Sequence, residues 1–150
     1  MKNKLLLILS FALLGIYSCS SDDDKSDVNF IRAKFDGVEQ KFNIINVVVT
    51  PEMTDPETNY TYKDIIVTAT MNSDATKIFV LKSEYNVTGD IIWGMYYTTD
   101  ETYYENDENF TNSNVTENSN GRYKGTFYGS LNNASGTIVI TDGSFDIIYQ

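Results

Sequence analysis

The chain has 150 residues, with 11 Lys and Arg against 21 Asp and Glu, a net charge of −10 and no histidine. So acidic a protein repels phosphate backbones and anionic lipid head groups, which excludes nucleic acid as a partner. The missing histidines remove Ser-His-Asp and Cys-His catalysis and histidine-rich zinc or copper sites, and a lone cysteine removes an internal disulfide framework.

Lys2 and Lys4 open the chain, and Leu5 to Ile16 follow as an almost unbroken apolar run of 12 residues. That is short of the ~20 a membrane-spanning helix needs and suits the apolar region of a signal peptide. The run ends at Ile16-Tyr17-Ser18-Cys19, which resembles a bacterial lipobox. The resemblance implies removal of residues 1–18, a diacylglycerol on the Cys19 sulfur and an acyl chain on its new amino group. One acyl chain holds a protein at a bilayer only marginally, whereas several on one residue hold it durably. Two other readings stay open: ordinary secretory cleavage with Cys19 left free, because Tyr17 is unusual inside a lipobox, and an uncleaved anchor. Cleavage removes two of the 11 cations and no acid, so 9 remain against 21 and the net charge becomes −12.

Ser20-Ser21-Asp22-Asp23-Asp24-Lys25-Ser26-Asp27 contains no large apolar residue, so residues 19–27 read as a lipidated cysteine followed by a solvated acidic tether. This stretch is similar to the start of Bacteroidota lipoproteins, in which a serine and an acidic run after the lipidated cysteine accompany display on the outer face of the outer membrane. The resemblance implies a lipid-anchored, surface-exposed protein, with the periplasmic face as the alternative.

Residues 28–150 are enough for one domain with a core of its own. Their apolar period is two. Ile31, Ala33 and Phe35 alternate with Arg32 and Lys34, Asp36-Gly37 suits a type I′ turn, and Val38, Gln40 and Phe42 alternate with Glu39, Lys41 and Asn43. Residues 29–44 are therefore a hairpin, and Ile45 to Thr50 continues as a buried apolar strand. After the Pro51–Pro56 loop, Ile65, Val67, Ala69 and Met71 face inward. Lys77 to Lys82 is a strand, and Ile91 to Thr98 is another, with Ile91, Trp93, Met95 and Tyr97 on one face. Residues 100–120 read as a long solvated loop of Asn, Ser, Thr and Glu. Tyr123, Phe127 and Leu131 then share a face, residues 132–136 turn the chain, Ile138 and Ile140 follow, and Asp142-Gly143 turns or bulges the chain before Phe145, Ile147 and Tyr149. An all-β antiparallel domain of about eight or nine strands follows, a sandwich first and a closed or partly open barrel second.

Ala33-Lys34-Phe35-Asp36-Gly37, Gly125-Thr126-Phe127 and Thr141-Asp142-Gly143-Ser144-Phe145 together resemble a group of short Bacteroidota lipoprotein domains of unknown function. That group begins with a strand entering an Asp-Gly turn and closes with a Gly-x-Phe strand and hairpin. The resemblance implies a β-rich extracytoplasmic domain and carries over no catalytic residue.

No phosphate-binding glycine motif is present; Gly125 and Gly129 sit inside a strand pattern, where glycines make room for a large side chain or a bulge. A paired-carboxylate glycosidase would have to draw on Asp64, Glu84, Asp90 and Asp146, the acids with apolar neighbours, but acids at strand ends are usually solvated. Asp100, Glu105 and Asp107 lie in an oxygen-rich segment that could serve calcium, though without EF-hand spacing; beyond the lipid no cofactor is expected.

The aromatic residues point to binding. Tyr62, Tyr96 and Tyr128 face outward by strand parity, and on one shared sheet they would form a stacking platform for glycan or a similar polar ligand. Tyrosine is also simply a good strand residue. Two functions therefore follow: a non-enzymatic glycan-binding module at the cell surface, or an interaction subunit that joins another outer-membrane protein.

Overall fold

The computed structural model describes residues 28–100, 102–106 and 112–150, and all regular structure in them is β. Cys19, the signal peptide, the tether and Asp107 lie outside the described residues.

β1 (Phe30–Phe35) turns at Asp36-Gly37 into β2 (Val38–Phe42). The two turn residues have φ of 48° and 81°, as a type I′ turn requires. β3 (Ile44–Val49) follows after Asn43 alone. A small ribbon of β4 (Met53–Thr54) and β5 (Thr61–Tyr62) stands apart from the large sheet. The remaining strands are β6 (Asp64–Met71), β7 (Asp74–Glu84), β8 (Ile92–Thr99), β9 (Thr102–Asn106), β10 (Asn112–Ser119), β11 (Arg122–Asn133) and β12 (Gly136–Ile148).

The large sheet runs β2-β1-β12-β11-β9-β8-β7-β6-β3, with β10 beside the first half of β11. Its two end strands, β2 and β3, are consecutive in the chain. Asn43 therefore carries the chain from one edge of the sheet to the other, and its N–H donates to the Thr70 carbonyl at 3.3 Å. The sheet is curled nearly closed. The all-β antiparallel reading holds, in its barrel arrangement.

Bulges supply much of the curvature, because an extra residue in one strand bends the ladder. Trp93 is extra in β8, Thr116 in β10, and β12 gains a residue around Asp142, whose φ is 53°.

Aromatic rings fill the interior. Phe35 and Phe42 pack on Phe79, at 5.5 and 5.6 Å between centroids, Phe79 stacks on Phe127 at 5.6 Å, and Phe145 joins Phe127 to Tyr123. Edge-to-face and offset contacts of this kind add to the burial of each ring. Gly125 leaves the room that Phe145 takes, since a Cβ there would lie 2.8 Å from the ring. The Tyr123 hydroxyl is paired with Ser83 Oγ at 2.8 Å, and burial pushes its pKa up, so it stays a neutral phenol.

Two stretches differ from the sequence reading. β3 is an end strand whose side chains alternate: Ile45, Val47 and Val49 pack against the core, while Ile44 and Val48 face outward and are about half exposed. Much of 100–120 is ladder, as β9 and β10. β10 escapes apolar periodicity because its inward residues are Val115 and Asn118, spaced by three across the Thr116 bulge, and one of them is polar. Asn118 is 2 % exposed, and its amide donates to the carbonyls of Glu84 and Val87.

Candidate functional site

With the interior occupied by side chains, a ligand must meet the outer face. The most distinctive feature there is a correction to strand parity. Simple alternation would turn Trp93 inward with Met95 and Tyr97; instead Ile92 pairs with Ser83 and Gly94 with Lys82, leaving Trp93 as the extra residue, 50 % exposed. Asn106 stitches this bulge. Its Oδ1 accepts the Met95 N–H at 2.7 Å and its Nδ2 donates to the Trp93 carbonyl at 3.5 Å. These are the backbone groups that a bulge would otherwise leave unpaired.

Trp93 thereby joins Tyr96 on the outside of β8, with the Lys82 ammonium between them, 5.5 Å from the Trp93 ring and 4.6 Å from the Tyr96 ring. Both separations lie in cation–π range. Gly94 permits this closeness: a Cβ there would lie 3.1 Å from the Tyr96 ring and 3.2 Å from the Lys82 stem. Tyr96 in turn stacks on Tyr103 of β9 at 5.8 Å, and Tyr103 is 49 % exposed. Partial burial, then the neighbouring Tyr96 and Glu105, raise the Tyr103 pKa and keep its hydroxyl protonated as a donor.

Tyr96 lies opposite Glu105, Glu105 beyond it pairs with Asn132 of β11, and Asn132 with Thr137 of β12. One row across four strands thus carries a phenol, a carboxylate, an amide and a hydroxyl. The Asn132 Oδ1 accepts from Thr137 Oγ1 at 2.7 Å. Further along β11, Tyr128 is 57 % exposed and borders a shallow depression of about 530 Å³ lined also by Ser130, Asn132, Thr137 and Val139.

Of the three tyrosines expected to form a platform, Tyr96 and Tyr128 share the large sheet. Strand spacing and rise place them roughly 16 Å apart. Tyr62 belongs to the β4–β5 ribbon, where it stacks on Tyr60 at 6.1 Å. All three rings on one sheet is therefore not what the chain builds, and the partners of Tyr96 are Trp93 and Tyr103, which parity did not single out.

The acids are dispersed. Asp100 occupies the β8–β9 turn and accepts from Thr76 Oγ1, while Glu105 lies four ladder positions away, roughly 13 Å by strand rise. The described members of the oxygen-rich set are thus not brought together, and among the described residues no group of three or more acidic, histidine or cysteine side chains could hold a metal ion. Asp64 and Glu84 stand opposite each other on β6 and β7, with Glu84 Oε1 accepting from the Tyr60 hydroxyl. Asp90 is held by Ser113, and Asp146 by Arg122 and Lys124.

No protein-family model matches this chain, and neither a curated protein nor a solved structure does.

Proposed function

We infer that this protein is a binding module for carbohydrate, anchored to the outer membrane through lipid on Cys19 and displayed at the cell surface, and that it acts without catalysis. The observation that carries the reading is the β8 bulge, which turns Trp93 out beside Tyr96 and Tyr103. A tryptophan ring held half exposed beside two further rings is informative, because folding alone favours its burial. Flat rings suit the apolar faces of pyranoses, and the adjoining Asn132, Thr137 and Ser130 offer donors and acceptors for sugar hydroxyls. Screening the domain on a glycan array tests this. Trp93→Ala and Tyr103→Ala are expected to melt within a few degrees of the parent and to lose about 2 kcal/mol or more of affinity each. An array on which the parent binds no glycan overturns the reading.

The interaction-subunit reading has its own observation in β3, an end strand with exposed Ile44 and Val48 and no charged residue. Such an edge can accept an extended strand from a membrane partner by main-chain pairing. Cross-linking from position 46 in intact membranes to a neighbouring protein would support it; a chain that stays uncross-linked would not.

A further inference from the structure

We propose that the sugar this face selects is an acidic one, a saccharide whose stacked ring carries a carboxylate, as a hexuronic acid does. The inference rests on the carbohydrate reading above and goes beyond it in naming the ligand class.

The observation is Lys82. In a chain with 21 acids and 11 bases, Lys34, Lys77, Arg122 and Lys124 all have carboxylate partners within 4 Å. Lys82 has none among the described residues; its contacts are the faces of Trp93 and Tyr96. Its direct neighbours in the ladder are Ile66 and Gly94, which are also uncharged. Gly94 lets the lysine stem lie flat against the sheet, which fixes where the ammonium ends. The result is a cation framed by two rings at the surface, with donor capacity to spare. A pyranose stacked on the exposed part of the Trp93 ring can bring a carboxylate on its own ring within reach of that ammonium. A neutral sugar makes the same stacking contact and leaves the ammonium to water.

The protein's overall negative charge does not cancel this. At physiological ionic strength charges beyond about 8 Å are largely screened, whereas Lys82 acts in contact. Two acids lie near this face: Glu84, two residues beyond Lys82 on β7, accepts from the Tyr60 hydroxyl, and Glu105 of β9 stands opposite Tyr96.

Calorimetric titration of the whole domain with short oligouronides, each compared with its own carboxyl-reduced neutral form, tests the proposal. The acidic form is expected to bind at least tenfold tighter than its reduced counterpart, and the advantage should shrink as salt is raised. Lys82→Met keeps an apolar stem over Gly94 and removes the charge, so it should abolish the preference of the acidic form over its reduced counterpart. Equal affinity for the acidic and reduced forms, unchanged in Lys82→Met, overturns the acidic-sugar proposal and leaves the carbohydrate reading standing. Absence of binding to either form or to any glycan overturns both.

Discussion

Asp146 shows how a single side chain can hold two strands of this barrel. It is nearly buried on β12, and Arg122 of β11 donates to both its oxygens, from Nε at 2.9 Å and from Nη2 at 2.7 Å, with Lys124 at 3.3 Å. The Arg122 hydrogen bonds lower the Asp146 pKa; burial opposes them and Lys124 adds to them. A carboxyl with a lowered folded-state pKa contributes stability above the ordinary carboxylate range and loses it as pH falls through the folded value. Asp146→Asn should therefore cost about 2 kcal/mol at neutral pH. The gap in melting temperature between variant and parent should narrow below about pH 4. A gap that stays constant into acid would show that the cost is packing and not charge. Residue roles of this kind were only partly legible in the sequence. Asp146 stood out as an acid with apolar neighbours, but its partners lie 24 and 22 positions away, and nothing local announces them.

Among the elements, those read best from the sequence are those whose signal is local. The β1–β2 hairpin needs only alternation and an Asp-Gly pair, and both lie within a dozen residues. β6 and the inward face of β11 follow for the same reason. Bulged strands fail the same test, since one inserted residue reverses parity beyond it. Trp93 faces out because β8 meets β7 out of step and because Asn106, 13 residues on, satisfies the backbone groups that the bulge frees. Asn106→Ala leaves the buried Met95 N–H without that partner, at a cost of about 1–3 kcal/mol. It should also loosen the bulge, so emission from Trp93, the single tryptophan, is expected to change even without ligand. If the variant keeps both parent stability and parent fluorescence, Asn106 does not hold Trp93 outward. β10 was hidden for a related reason. Its inward positions are a valine and an asparagine, so its place in the ladder comes from β11 and from the Asn118 amide and not from hydrophobic patterning.

For the whole molecule, composition and period were enough for the fold class and not for closure. Whether the ten strands of the large sheet form two sheets or one curled sheet depends on Asn43, where the chain passes between the two edges, and an asparagine between two strands carries no such message by itself. The aromatic face was legible in kind but not in membership: outward tyrosines were expected, and the tryptophan beside them was not. Attachment to the membrane belongs to this scale as well. If Cys19 carries the lipid, Cys19→Ala should move the protein from the membrane fraction to the soluble one. Retention on membranes after a high-salt wash would refute lipid anchoring.

The outer face of β8 holds the protein's single tryptophan, which reports on that face directly. Acrylamide quenching of Trp93 fluorescence, measured while the domain is titrated with a glycan that binds it, should fall saturably as the sugar covers the indole, with the same midpoint as binding. A glycan that binds while Trp93 remains as quenchable as in the free protein would contradict the assignment of this face.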